Sequence, residues 1–382
     1  MSIQTLPPYP YLAVAPGRVN MLGEHVDYND GVVLPAAIDR SVRVAAQPRS
    51  DRQVYLTALD LNESASFDLD HLAEKRTLTG KPLPAWARYP AGVAWALQEQ
   101  GYAVNGVDAV FTSDVPIGAG LSSSAAVEVA FAALWRQLGG WDASAMTLAR
   151  LSQAAENRYV GVNCGLMDQF ASAHGVEGHC LYFDTRSLDW KPVLLPAGTV
   201  IIIANSLVKR SLAESAYNER RAACETAVEL LKPHLPGIRA LRDVSTEDFA
   251  RLSYLLPEVI ARRAQHIVEE CARVEEAVDC LNRGDADGFG RLMIAGHASL
   301  RDLYEVSCPE LDVLVDTAKS LPGCLGARLT GAGFGGCTVN LVEESAAGQF
   351  IQSLSDEYTR LTGKQTEVYL CRASRGAFCQ AQ

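Results

Sequence analysis

The chain has 382 residues, 48% of them hydrophobic, and a formal net charge of −11. That length can bury two well-packed domains, and an acidic balance without a basic run argues against a nucleic-acid partner. The first residues lack a signal-peptide pattern, no run is long enough for a membrane span, and the ten cysteines lack metal-binding spacing, so we expect a cytoplasmic protein without membrane contact.

The spacing of apolar residues predicts an α+β chain, with more strands in its N-terminal part and more helices in its C-terminal part. The predicted strands cover residues 11–15, 32–34, 41–46, 53–59, 107–111, 179–183, 200–204, 326–329, 336–342 and 367–371. The predicted helices cover residues 88–98, 125–135, 143–159, 166–173, 214–231, 257–281, 285–303, 309–319 and 346–361. We place a domain boundary near Leu207, which gives domains 1–206 and 207–382 that share a cleft.

A polar loop, predicted over residues 16–31, carries Arg18, Glu24, His25 and Asp27. Apolar residues such as Val26 stand among them, so we do not expect a simply solvated loop. Carboxylates, an imidazole and an amide suit a polyhydroxy ligand, because each sugar hydroxyl both donates and accepts hydrogen bonds. A structural role is the alternative for His25, and the neighbouring acids favour ligand binding.

A stretch rich in glycine and serine, residues 114–126, links the predicted strand 107–111 to an apolar helix. Gly118 and Gly120 let the backbone approach a ligand, and Ser122, Ser123 and Ser124 offer hydroxyls to phosphate or magnesium. The free N–H groups and the dipole of the helix favour an anion. A capped core helix is the alternative; three serines behind two glycines favour phosphate. The stretch is not a Walker A loop, because no Gly-Lys-Ser/Thr sequence follows it. It also departs from the dinucleotide-binding motif, because Ser123 stands where that motif has its third glycine.

Two acids stand on the next helices. Asp168 begins the short predicted helix 166–173, where it is either a common helix-dipole acid or a base directed at a hydroxyl. Glu156 lies one helix earlier and could bind a cation. From the sequence alone, an ordinary exposed helix acid is the better interpretation of Glu156.

Residues 331–336 match the pattern G-x-G-x-x-G, which alone is a weak signal. A strand pattern follows the glycines instead of a helix, so the context argues against a dinucleotide-binding fold. Two interpretations remain equally open: a plain turn between strands, and a backbone wall over a ligand.

Together these stretches resemble the galactokinase branch of the GHMP small-molecule kinase family, over essentially the whole chain. The first signature of that branch, G-R-x-N-L-I-G-E-H-T-D-Y-N-x-G-x-V-L-P, is matched by residues 17–35, with conservative departures such as Met21 and Val26. The glycine and serine stretch resembles the second family motif. Residues 329–336 resemble the third, with Ala332 as a further conservative departure.

The resemblance implies a role for each candidate residue. Asp168 would be the catalytic carboxylate at the anomeric hydroxyl, with Arg18 beside it. The galactose hydroxyls would be held by Glu24, His25, Asp27, Gly165 and Tyr217. ATP would be bound by Trp86 at the adenine and by Gly118, Gly120, Leu121, Ser122, Ser123, Ser124, Gly331 and Gly333. Mg²⁺ would be bound by Ser123, Ser124 and Glu156.

The implied fold is a ribosomal-S5-domain-2-like N-terminal domain and a ferredoxin-like C-terminal domain, with the active site between them. The implied reaction is transfer of the γ-phosphoryl group of ATP to O1 of galactose, by a protein that we expect to be a monomer. The alternatives are an N-acetylgalactosamine kinase, an arabinokinase, and a galactose sensor that binds both ligands without catalysis. The intact stretch 121–126 and the presence of Asp168 argue against the sensor.

Overall fold

The computed structural model describes residues 6–208 and 213–382. The α-helices are α1 (Arg88–Glu99), α2 (Ser123–Gly139), α3 (Ala145–Ala154), α4 (Met167–His174), α5 (Ala213–Leu231), α6 (Thr246–Leu252), α7 (Glu258–Asn282), α8 (Ala286–Asp302), α9 (Pro309–Ala318) and α10 (Ala347–Thr362). The strands are β1 (Tyr11–Asn20), β2 (Val32–Val33), β3 (Pro35–Pro48), β4 (Gln53–Ala58), β5 (Glu63–Asp68), β6 (Val107–Ser113), β7 (His179–Asp184), β8 (Trp190–Leu194), β9 (Thr199–Asn205), β10 (Cys324–Thr330), β11 (Cys337–Glu343), β12 (Glu367–Cys371) and β13 (Phe378–Ala381).

The first layer is a six-stranded sheet in the order β13-β1-β3-β6-β4-β5, in which only the β4–β6 pair is parallel. Helix α2 packs against β1 and β3. It is apolar around nearly its whole circumference, and side chains such as Phe131 and Trp135 are completely buried. A helix with that composition is stable only when other elements cover every side of it. Helices α1, α3 and α4 provide this cover, so α2 is held in place on all sides.

The second layer is an antiparallel sheet in the order β10-β11-β9-β12. The apolar run of β9 is buried on both faces, as in a strand that has helices on each side. Ile201 and Ile203 pack in the same cluster as Phe289 of α8, while Ile202 packs with Leu314 of α9 and residues of α10. The mixed architecture confirms the predicted α+β, two-domain fold. Within the described residues, no helix has both the length and the apolarity needed to cross a membrane.

Strand pairing crosses the proposed boundary at residue 206 in both directions. Strand β9 precedes the boundary but lies inside the second sheet, between β11 and β12. Strand β13 closes the chain but pairs with β1 of the first sheet, with Tyr11 opposite Ala381. The division into 1–206 and 207–382 stays a proposal; by strand pairing alone, the second unit would begin at β9.

Two local predictions were wrong. Strand β1 continues to Asn20, so Arg18 lies in a strand and not in the predicted polar loop; Pro16 and Gly17 suggested a break where the strand only shifts register. Such an irregularity redirects the side chains that follow it. The predicted helix 143–159 is also not continuous, because α3 ends at Ala154 and a π-helical turn, Ala155–Val160, follows. A π-helical turn hydrogen-bonds one residue further along the chain than an α-helix does, and the spacing of apolar residues in so short a segment does not reveal this difference.

Candidate active site

The glycine and serine stretch forms the turn from β6 into α2, as predicted. Gly118 and Gly120 have φ angles of 72° and 84°, and Ser122, immediately before α2, has a φ of 59°. Glycine adopts this left-handed backbone without steric cost. The first N–H groups of α2 lack intrahelical partners, and the helix dipole favours negative charge at this end. The turn therefore has the form of an anion-binding site.

Asp168, in the first turn of α4, is the point where the separate motifs meet. Its Oδ1 accepts a hydrogen bond of 2.9 Å from Nε of Arg18 and forms an ion pair with Nη2 of the same arginine at 2.7 Å. Its Oδ2 accepts a hydrogen bond of 2.6 Å from the hydroxyl of Ser122. Arg18 also donates to the carbonyl of Gly120 at 2.7 Å. One carboxylate thus joins strand β1 to the turn of residues 114–122, which we name the phosphate turn after its predicted ligand, and 28% of its side chain stays exposed.

A cavity of about 370 Å³ opens beside Asp168. All five predicted sugar residues line it, together with other predicted site residues: Arg18, Glu24, His25, Asp27, Glu156, Gly165, Asp168, Tyr217 and Gly331. The fold therefore gathers side chains from distant parts of the chain around one cavity. A cavity of about 460 Å³ between α1 and α3 is larger, but none of the predicted residues lines it. We assign the chemistry to the smaller cavity because Asp168, Arg18 and the predicted sugar-binding residues line it.

Burial controls the charges in the sugar loop, residues 20–31. Loss of solvation raises the pKa of Glu24 to about 7, opposed mainly by the nearby Arg328. Burial likewise raises the pKa of Asp27 to about 6, and the negative charge of Asp168 adds to the effect. Burial lowers the pKa of His25 to about 3, so its imidazole is neutral at pH 7. The cavity thus offers acids that titrate near neutrality and an uncharged ring.

Gly165 is in direct contact with one of these acids. A Cβ atom at residue 165 would lie only 2.1 Å from Oδ2 of Asp27. Any larger residue would displace that carboxylate, because such a separation is far inside van der Waals contact. The structure therefore gives Gly165 a specific steric reason to be glycine.

An aromatic cluster packs around His25 of the cavity lining, and the sequence showed only part of it. The hydroxyl of Tyr28 lies 2.9 Å from Nδ1 of His25 and 2.7 Å from the hydroxyl of Tyr304. The ring of Tyr217 meets Tyr28 edge to face, with centroids 5.3 Å apart. Tyr28 belongs to the sugar-loop signature, so its place there was a usable signal. Tyr304 follows α8 and has no such signal in the sequence.

Glu156 is 6% exposed, so the interpretation of it as an exposed acid was wrong. The π-helical turn carries it inward, where its Oε2 accepts 2.6 Å from Nε2 of Gln169. The same Gln169 nitrogen donates to Oε2 of Glu128 at 3.0 Å, and Cys164 donates its thiol to Glu156. Burial raises the pKa of both glutamates. Gln169, Glu128 and Cys164 are functional candidates that sequence reasoning missed.

The remaining predicted ATP residues lie at the edge of this site or away from it. Trp86 is half-buried against Phe111 and donates from Nε1 to Glu63 at 2.6 Å, and it does not line the cavity. The N–H of Gly331 donates to Oε1 of Glu24 at 3.0 Å. Gly333 lies in the same turn, between β10 and β11. The strand after these glycines confirms that the dinucleotide interpretation fails.

Family comparisons agree with this arrangement. The GHMP kinases N terminal domain matches residues 88–176, and the GHMP kinases C terminal family matches residues 277–360. The galactokinase galactose-binding signature matches residues 4–48. The mevalonate kinase of Methanococcus jannaschii covers 95% of this chain and 98% of its own, with a TM-score of 0.67 at 18% identity, and so shares the fold. Fold and site together define a kinase of the GHMP class.

Closer relatives identify the branch of that class. Galactokinase of Roseiflexus sp. (strain RS-1) is 48% identical over 369 residues, which are 96% of this chain and 93% of that protein. The crystal structure of Lactococcus lactis galactokinase complexed with galactose is 34% identical, with a TM-score of 0.89 over 96% of this chain and 94% of that one. The chain belongs to the galactokinase family, which confirms the family predicted from the sequence.

Proposed function

We propose that the protein transfers the γ-phosphoryl group of ATP to O1 of D-galactose, giving galactose 1-phosphate and ADP. The observation that carries this proposal is the double attachment of Asp168, to Arg18 on one oxygen and to Ser122 of the phosphate turn on the other. Membership of the galactokinase family supports the reaction. The likeness to a galactokinase solved with galactose supports the sugar.

The residues of the site divide the work by position. Asp168 accepts the proton of the anomeric hydroxyl, or orients that hydroxyl, while O1 of the sugar approaches the γ-phosphorus atom of ATP. Arg18 holds the carboxylate and adds positive charge, while the turn from Gly118 to Ser124 offers backbone N–H groups to the phosphates. The transition state of phosphoryl transfer is loose and anionic, so positioning and charge neutralisation carry most of the catalysis. Trp86 stays our proposal for the adenine contact.

The residues around Glu156 fit a magnesium ion. Magnesium prefers oxygen ligands and is usually held by one or two carboxylates and the substrate phosphates. Glu156 is buried with a second acid, Glu128, whose Oε1 has no hydrogen-bond partner among the described residues, and the side chain of Ser124 lies near enough to Glu156 to lower its pKa against the effect of burial. We propose that Glu156, Ser123 and Ser124 hold Mg²⁺, which would neutralise phosphate charge. No group of three or more His, Cys, Asp or Glu residues in the described chain forms a metal site by itself.

The first experiment is ADP release from Mg-ATP with a panel of acceptors: galactose, N-acetylgalactosamine, arabinose, glucose, mevalonate and homoserine. We expect galactose to give the highest kcat/KM. Higher turnover of N-acetylgalactosamine or arabinose would support the other sugar kinases instead. Binding of galactose and ATP without ADP release would indicate a sensor.

Two finer expectations concern the protein in solution. We propose a monomer, so light scattering should give a mass near 41.2 kDa. A mass of twice that value would contradict the monomer. We also propose a cytoplasmic protein, and cell fractionation should recover it with cytoplasmic enzymes.

A further inference from the structure

A completely buried arginine of the second sheet contacts the proposed sugar loop. Arg328 of β10 is 0% exposed, and its Nη1 donates to Oε1 of Glu270 on α7 at 2.9 Å. Its Nη2 lies 2.8 Å from Oε2 of Glu24, as an ion pair without the alignment of a full hydrogen bond. Gly296 of α8 makes room for this group, because a Cβ at residue 296 would lie 2.9 Å from Nη1.

The surroundings of Glu24 restrict what its carboxylate can still accept. Oε2 accepts a hydrogen bond of 3.0 Å from Asn20 and faces the Arg328 guanidinium. Oε1 accepts the N–H of Gly331 at 3.0 Å. A carboxylate oxygen has about two acceptor positions. Asn20 and the Arg328 guanidinium therefore occupy the surroundings of Oε2, whereas Oε1, with one hydrogen bond, keeps an acceptor position for a ligand in the cavity.

The backbone of the sugar loop is held from the same side. The N–H of Gly23 donates to Oε1 of Glu270 at 2.9 Å, and Nε2 of His266 lies 3.3 Å from the carbonyl oxygen of Glu24. Arg273 pairs with the other oxygen of Glu270. Side chains of α7 and β10 thus fix both the backbone and the carboxylate of one residue of the loop.

Fold stability alone is a weak reason for such a cluster. A buried ion pair costs about as much in lost solvation as it returns in attraction, and apolar residues of similar size are often as stable. Here the contacts converge on Glu24 and its neighbour Gly23. The contacts are explained if they position the Glu24 carboxylate for a ligand. A Glu24 side chain that is already held in one rotamer loses less conformational entropy when the ligand binds.

We propose that Arg328 and Glu270 are positioning residues for sugar binding: they fix Glu24 so that a single acceptor position, on Oε1, faces a hydroxyl of the substrate. This inference rests on the proposed function, since it takes the ligand of the cavity to be a sugar. Arg328 also opposes the effect of burial on the pKa of Glu24 and so favours the stronger, charged acceptor. The hydrogen bond from the N–H of Gly331 to Glu24 also joins the sugar loop to the glycine-rich turn of residues 331–336.

The test compares Arg328→Lys and Glu270→Gln with the wild-type protein. Lysine keeps the charge but loses the planar fork, and glutamine keeps an acceptor for Gly23 but loses the charge. For each variant we expect the galactose KM, and the galactose Kd from calorimetry, to rise about tenfold or more, as for loss of one hydrogen bond to a charged group. The ATP KM should change less than about twofold and kcat less than about threefold, because the phosphate turn is untouched.

Arg263→Lys is the matched control. Arg263 is another buried arginine, on α7, and it pairs with Glu305 outside the cavity lining. Circular dichroism and thermal unfolding establish which variants are folded; if Arg328→Lys does not fold, Glu270→Gln decides. A folded variant with an unchanged galactose KM, or with both KM values raised equally, overturns the inference. Wild-type protein without galactose turnover would instead overturn the proposed function.

Discussion

Asp168 shows how a single carboxylate acquires a specific role from its contacts. Each of its oxygens is bound to a different part of the chain, Arg18 on one side and Ser122 on the other. The acid is therefore held in one orientation, against the phosphate turn and open to the cavity. An acid that served only the helix dipole would not need either contact.

Asp168→Asn tests this role directly. The amide keeps the size of the side chain but cannot accept a proton, so we expect kcat to fall about 10²-fold to 10⁴-fold, the range for loss of a general base. Steady-state ADP release gives the rate, and calorimetry should still detect galactose. Asp108→Asn is the matched control. Asp108 lies on β6 and pairs with Arg49, so this variant should keep full activity. Undiminished turnover in Asp168→Asn would rule out a catalytic carboxylate at this position.

The pKa of Glu24 predicts how sugar affinity depends on pH. Burial raises this pKa to about 7, so the folded protein loses the charged acceptor as the pH falls through 7. His25 does not mask the effect, because burial lowers its pKa to about 3. We expect kcat/KM for galactose to fall between about pH 8 and pH 6, with a smaller change for ATP. The Glu24→Gln variant should lose the part of this fall near pH 7 and keep only the part near pH 6 that comes from Asp27, whose pKa burial raises to about 6. A flat wild-type profile would show that Glu24 does not bind the sugar as a carboxylate.

At the scale of elements, three helical segments meet at Gln169. Its amide nitrogen, on α4, donates both to Glu128 of α2 and to Glu156 of the π-helical turn. Two buried acids would repel each other without a donor between them. The π-helical turn matters because it directs Glu156 inward, where a regular continuation of α3 would rotate it differently.

Gln169→Leu removes that shared donor. We expect the Mg²⁺ concentration for half-maximal rate to rise about tenfold or more, as is typical when the partner of a metal ligand is removed. The melting temperature should fall as well, because two buried carboxylates lose a hydrogen bond. Gln98→Leu is the control, since Nε2 of Gln98 on α1 has no hydrogen-bond partner among the described residues. An unchanged Mg²⁺ requirement would separate Gln169 from the metal.

At the scale of the whole molecule, the chain closes on itself. Strand β13 returns from the second unit to form the edge of the first sheet, beside β1. The strand that carries Arg18 is therefore covered by the last residues of the chain. Since the pairing runs from Tyr11 to Val14, it supports the far end of β1 and not the site itself.

Removal of residues 378–382 should therefore lower stability without altering the chemistry. The deletion loses the ladder between β13 and β1, a few hydrogen bonds worth about 1 kcal/mol each, so we expect the free energy of unfolding to fall by about 1–3 kcal/mol. Urea denaturation measures this change, and kcat should stay within about twofold of the full-length value. Removal of Gln382 alone is the milder control. Equal stability of the two shortened chains would show that β13 contributes nothing.

The sequence by itself determined the motifs and most of the elements. The glycine and serine stretch of residues 114–126 and the sugar loop are local patterns, because their chemistry depends on residues that are neighbours in the chain. The resemblance carried by these motifs led to the correct family and fold. Short or polar segments such as β5, β8 and β13 escaped prediction, since edge strands have a weak apolar pattern.

Only the tertiary structure decided which distant residues act together. Arg328 lies 304 positions after Glu24 in the printed numbering, and Gln169 lies 41 after Glu128, so local patterns could not reveal either contact. Likewise, the burial of Glu156 and the sheet membership of β9 depend on packing between elements. Charge, spacing and periodicity are properties of short stretches, whereas burial and pairing arise when the whole chain folds, and these set the pKa values and positions on which the proposed chemistry depends.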